Sequence, residues 1–223
     1  MALLLTESNA AADLDTFLGR AAELQDGSVR ILASGSVLAV YVPVLFPSSL
    51  LDESATVLAL RAFAIEPVNA EVDSIVPVAS LRARAAAATA VGEGFELGVP
   101  TPVYSVTWAG IVPPRGGWAA IGAVSTGLLR DSAATGIAEV AEALPVNPGE
   151  AVVRSVRALV WNEPIAGAEA LPRGAAFAAQ ALGFLPPEGA EEQGELFEVG
   201  PWTRLTLARG HVLVKRRAWS LAG

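Results

Sequence analysis

The sequence predicts an α+β protein: a β-rich N-terminal part with antiparallel hairpins, a helical middle and C-terminal part, and a terminal β-hairpin. Three observations predict it. Short apolar runs bounded by turn residues fill the first half. Apolar residues recur at three- and four-residue spacing through much of the second half. The two kinds of element do not alternate as they do in a parallel α/β fold.

Residues 2–5 are apolar and read as a short strand. A helix follows: Asn9 caps it, Asp13 and Asp15 suit its first turns, and Leu14, Phe17, Leu18, Ala21 and Leu24 share one face. Asp26-Gly27 ends it. The run "SVRILASGSVLAVYVPVLF" reads as two strands around Ser34-Gly35, and residues 56–65 as a third. "VDSIVPVAS" reads as a strand running into a helix near residues 78–90, stopped by Gly92 and Gly94. "FELGV" and "PVYSVTWAGIV" read as strands with prolines at their ends. Trp118, Ile121, Val124, Ser125, Leu128 and Leu129 then have helical spacing. Asp131 or Ser132 caps another helix, with Ile137, Val140, Ala141 and Leu144 inward. Helices near 148–161 and 172–183, an acidic loop at 188–198 and the hairpin complete the chain. "PPRGG", residues 113–117, marks the expected boundary between regions 1–115 and 116–223, which one continuous domain could also span.

Composition removes whole classes of chemistry. There is no cysteine, so disulfides, thiolate catalysis and Cys-ligated zinc are excluded. One histidine leaves no His-x-x-x-His metal pair, and the only lysine, Lys215, lies in no phosphate-binding loop. No Gly-x-Ser-x-Gly elbow or dinucleotide fingerprint occurs. No cofactor and no catalytic residue is therefore expected. A net charge of −8 and a pI near 4.7 weigh against nucleic acid as a partner. No signal peptide or membrane span is expected, which points to the cytoplasm and no membrane partner. Fourteen arginines against one lysine, in an Ala-rich chain, is the usage of a high-GC bacterial genome.

One motif points to an enzyme. Trp161-Asn162-Glu163-Pro164 resembles the acid/base segment of retaining glycoside hydrolases built on (β/α)8 barrels. That resemblance implies Glu163 as the acid/base, Asn162 as the group binding the sugar 2-hydroxyl, and a second carboxylate about 5 Å away. The surrounding residues predict something else. Asn147, Pro148 and Glu150 have the spacing of a capping box, and Val152, Val153, Val156, Leu159 and Val160 form a helical stripe. The motif then falls at the end of a helix, with Trp161 as a packing residue and Pro164 as the stop.

The C-terminal hairpin carries the candidate partner-binding residues Arg209, His211, Lys215, Arg216 and Arg217. With Arg209-Gly210 as its turn, Leu207 would face Val212, Leu205 would face Val214, and Arg204 would face Lys215. Either the preceding acidic residues Glu191, Glu192, Glu195 and Glu198 neutralise this basic stem, or it meets an acidic protein partner. The windows "LASGSVL" (32–38) and "LARGHVL" (207–213) agree at five of seven positions, through duplication or a shared hairpin recipe. Three helices followed by a basic hairpin also imitate a winged helix that binds nucleic acid. The reading that fits best is a non-catalytic binding or assembly protein that forms a homo-oligomer.

Overall fold

A computed structural model of the protein describes residues 1–24, 27–47, 52, 54–103, 106–110 and 112–216. These residues form five helices and thirteen strands, a mixed α+β architecture of antiparallel sheets. They divide into two compact units, Met1–Val42 with Leu60–Ile111, and Pro43–Ala59 with Val112–Gly223.

The first unit contains β1 (Ala2–Leu5), α1 (Ala10–Leu24), β2 (Ser28–Ser34), the start of β3 (Val37–Leu45) and the end of β4 (Thr56–Ala64). It continues through β5 (Val72–Pro77), α2 (Val78–Ala86), β6 (Thr89–Val91) and β7 (Gly94–Gly98). A small sheet has the order β1-β7-β6, and a larger one runs β5-β2-β3-β4. Helix α1 packs against α2, burying Leu14, Phe17, Leu18 and Ala21 as its apolar spacing predicts. Val78, Leu81 and Ala85 supply the buried face of α2. Three of this unit's arginines are bound to aspartates: Arg30 to Asp73 through two contacts, Arg61 to Asp13 at 2.8 Å, and Arg82 to Asp15 at 3.1 Å.

The second unit contains β8 (Ala119–Ser125), α3 (Thr126–Ala143), α4 (Glu150–Asn162), β9 (Pro164–Ile165), β10 (Ala168–Pro172) and α5 (Arg173–Ala181). The strands β11 (Gln193–Val199), β12 (Trp202–Leu207) and β13 (Gly210–Lys215) follow, and the sheet has the order β4-β13-β12-β11-β8. Trp161 joins the helices. Its indole stacks on Phe177 of α5 at 4.5 Å and 21°, and it occupies the space that a side chain at Gly136 of α3 would need.

At three points a strand passes into a helix with no intervening residue: Pro77 to Val78, Ser125 to Thr126, and Pro172 to Arg173. The two prolines hold extended backbone and lack an N–H, so they end a ladder and begin a helix in one step. At the third junction the Ser125 hydroxyl accepts a hydrogen bond from the Leu128 amide, 3.1 Å, as an N-cap.

Several sequence expectations are corrected. Residues 119–125 form strand β8, and a single helix begins at Thr126 and runs past Asp131 and Ser132. Its buried face is Thr126, Leu129, Ala133 and Gly136, while Ile137 is 47% exposed, because close helix contact selects the small residues. The capping box does not form: Asn147 has φ 55°, Gly149 is the N-cap and Glu150 opens α4. Among the described residues of 101–110 the only regular element is a 3-10 turn, Thr107–Gly110, since prolines at 100, 102, 113 and 114 cannot donate to a ladder. The expected acidic loop contains β11. Asp26, placed at the end of α1, lies outside the described residues.

Two substitutions should move stability in opposite directions. Gly136→Ala drives a methyl into the Trp161 ring and should cost about 1–3 kcal/mol in urea unfolding. The Thr203 hydroxyl is fully buried with no hydrogen-bond partner among the described residues, so Thr203→Val should stabilise by about 1 kcal/mol.

Candidate assembly and partner-binding face

The candidate site lies on the second unit's sheet. Alternation along β12 turns Thr203, Leu205 and Leu207 into the core and Arg204 and Thr206 to the opposite face. Cross-strand pairing makes two rows on that face. One holds Ala123, Glu195, Thr206 and His211; the next holds Phe197, Arg204 and Leu213.

The hairpin register corrects the expected one by two residues. Its turn is Ala208-Arg209, Leu205 pairs with Val212, and Thr203 pairs with Val214. The apolar residues keep the expected face because a shift of two preserves alternation. Arg204 consequently pairs with Leu213, and Trp202 takes the place opposite Lys215. The echoed windows are therefore not structurally equivalent. Gly35 lies in its turn with φ 56°, whereas Gly210 opens a strand and sits against the Phe184 ring.

Arg204 is the residue that sequence reasoning missed. Its guanidinium carbon lies over the rings of both Trp118 and Phe197, 4.7 and 4.5 Å from their centroids. Burial lowers its pKa, while the Glu195 carboxylate acts to raise it. Trp118 is eighty-six positions away in sequence, and no local pattern relates the two. The five predicted partner-binding residues are dispersed. Arg209 is exposed in the turn. His211 shares a 3.0 Å hydrogen bond between Nδ1 and Thr206 Oγ1. The Lys215 ammonium lies 5.9 Å from the Trp202 ring centroid. Arg216 is ion-paired with Glu198. Arg217 lies outside the described residues.

The far edge of the sheet is the second component. Strand β8 ends the strand order, and its first five residues, Ala119 to Ala123, are all exposed. It contains no charged residue and no proline. A bulge opposite Leu196 and Phe197, with Gly122 at φ 151°, interrupts its regular ladder at Ile121. Helix α4, which packs on α3 and α5, also carries open apolar surface. Trp161 is its one buried residue, while Val152 is 44% and Leu159 is 74% exposed.

Glu163 is the C-cap of α4, and its carboxylate lies 3.1 Å from Arg173 Nη1. Glu139 binds the same nitrogen at 2.6 Å. Asn162 turns to the backbone, accepting from the Ala55 amide at 2.7 Å and donating to Ala158 O at 2.8 Å. The motif thus ends a helix among antiparallel strands, without the barrel strand that the hydrolase resemblance requires. Helix α5, the recognition helix of a winged-helix reading, buries Gly174, Ala175, Ala176, Ala178 and Ala179 and cannot enter a groove. Among the described residues no three His, Asp or Glu side chains gather as a metal site, and no helix is long and apolar enough to cross a membrane.

Residues 1–110 match the family model described as "Domain of unknown function (DUF8010)", and residues 113–219 match "Domain of unknown function (DUF8185)". No curated protein matches the sequence. Among solved structures, the sliding clamp (DNA polymerase III subunit beta) of Bartonella birtlesii bound to griselimycin is similar at 12% identity and a TM-score of 0.51, over 100% of this chain and 66% of that one. The pol III beta of Caulobacter crescentus gives 14% identity and a TM-score of 0.49, over 98% and 67%. The DNA polymerase III subunit beta of Pseudomonas aeruginosa gives 12% and 0.47, over 99% and 66%. The chain thus spans about two thirds of the length of these proteins, and its fold is sliding-clamp-like. The expectation drawn from net charge against nucleic acid is not borne out, because proteins sharing the fold are DNA polymerase clamps and a whole-chain sum does not locate the cations.

Burial and the Arg204 charge both lower the His211 pKa. The neutral imidazole is then the form the fold favours. Its contribution to stability is complete above the unfolded value of about 6.5 and is lost as pH falls through the lower folded value. In urea unfolding between pH 5 and 8, the stability difference between parent and His211→Gln should be constant above about pH 6.5 and should fall below it. A difference that grows on acidification would mean that the fold holds the imidazolium.

Proposed function

We propose that the protein is a non-catalytic assembly protein of sliding-clamp-like fold that associates with further copies of itself and docks an acidic protein partner. The observation that supports this most directly is the edge of the second unit's sheet. An edge strand presents a row of backbone donors and acceptors, and natural edges are usually protected by charges or prolines. Strand β8 has neither, and its protection is the single bulge at Ile121. The regular ladder from Gly122 to Ser125 is short. A stable interface needs about 800 Å² from each copy, so further apolar surface has to join it. The open stripe of α4 is surface of that kind. The fold agrees with this reading, since the proteins that share it are themselves described as subunits of DNA polymerase III.

Native mass spectrometry and light scattering across micromolar concentrations test the reading. The parent should be oligomeric. Ala123→Lys, which places a charge on the exposed edge, should be monomeric with an unchanged unfolding midpoint. A parent that is monomeric throughout that range would overturn self-association. A second reading, favoured by the fold alone, is a role at DNA. It predicts salt-sensitive retention of a duplex by the parent, lost when Arg209 and Arg216 are both changed to Glu.

A further inference from the structure

Most arginines with described contacts end on an acceptor within the chain. Arg30, Arg61, Arg82, Arg173 and Arg216 reach carboxylates, and Arg130 reaches the carbonyls of Pro186 and Pro187. Arg204 differs. Its guanidinium lies over the rings of both Trp118 and Phe197, but cation–π contact satisfies none of its N–H donors. Its Nε is buried with no acceptor, and no hydrogen bond or ion pair joins the group to another described residue. Contact with two rings and the burial of Nε restrict the side chain, so less rotamer freedom remains to be lost when an acceptor arrives.

We propose that Trp118, Arg204 and Phe197 form a receptor for a single carboxylate presented by a protein partner, taken end-on by the two Nη groups of Arg204. With Nε buried, the edge bearing the two Nη groups is the one left for an incoming acceptor. The planar fork of the guanidinium matches a carboxylate in a bidentate pair. A phosphodiester strand fits less well, because it brings charge at every nucleotide and would meet Glu195 in the adjacent row of the same face. A lone Asp or Glu flanked by apolar residues avoids that repulsion and sets its neighbours against the two half-buried rings. This inference rests on the docking of an acidic partner proposed above and does not require assembly through β8.

Titration of the ¹⁵N-labelled protein with N-acetyl-glutamate amide, followed by NMR, tests the proposal. The Arg204 Nε–H and Trp118 indole N–H signals should move together and saturate in the millimolar range, while the Trp161 indole signal stays fixed. N-acetyl-glutamine amide should move none of them. Arg204→Lys keeps the charge but not the fork and should abolish saturation while retaining a folded spectrum. Glu195→Gln removes the nearby charge and should lower the midpoint severalfold; it also serves as the test variant if Arg204→Lys does not fold. Absence of saturable movement in the parent would overturn the proposal. So would an equal response to sodium chloride at matched ionic strength, which is the behaviour of an adventitious ion only. Tighter, salt-sensitive movement of the same signals by a thymidine oligonucleotide would overturn it in favour of nucleic acid.

Discussion

The helical layer of the second unit depends on where Trp161 points. Its indole lies between the Phe177 ring and the bare backbone at Gly136, and burying a side chain of that size is worth several kcal/mol. That one contact sets the rotation of α4 about its own axis. At 3.6 residues per turn, Leu159 stands about 200° and Val152 about 180° round from Trp161. A helix that turns Trp161 inward must therefore turn both of them outward. The open apolar stripe on α4 follows directly from the best-packed residue of the same helix. It is apolar surface that the chain cannot cover by itself.

The same geometry explains how far the sequence could be read. Strands β1 to β5, the face each strand of the terminal hairpin buries, and the helical nature of residues 150–162 were legible because they rest on local periodicity. The placement of Trp-Asn-Glu-Pro after a helix was legible for the same reason. That Trp161 packs was also legible; that Val152 and Leu159 stay open was not. The stripe from Val152 to Val160 outvotes a lone tryptophan in any average over the helix, yet the tryptophan has the matching cavity. Strand β8 was read as a helix because Ile121, Val124 and Leu128 fit a helical spacing. Neither the pairing with β11 nor the cap at Ser125 can be seen in a short window. Arg204 was read as a like-charge neighbour of Lys215. Its walls come from the segment before β8 and from β11, and only the folded sheet brings them together.

Charge is distributed with the same dependence on context. The net charge of −8 coexists with six arginines, spread over both units, that reach neighbouring carboxylates or carbonyls. A sum over the chain thus records solubility more than recognition. What a partner would meet is the set of cations left without a local acceptor. Arg204 belongs to that set while lying over two aromatic rings.

The terminal hairpin shows how a single hydrogen atom can select one alignment from two. Inward and outward faces survive any slip of two residues, so the apolar pattern of β12 and β13 cannot distinguish the observed pairing from its neighbours. Gly210 can. A β-carbon there would stand 2.6 Å from the Phe184 ring. A slip by one pleat would bring Ala208 or Val212 to that spot, and either side chain collides with the ring. The alignment is thus chosen by what the site refuses to accommodate. Phe184, distant from the hairpin in sequence, acts as the gauge against which the last two strands are measured.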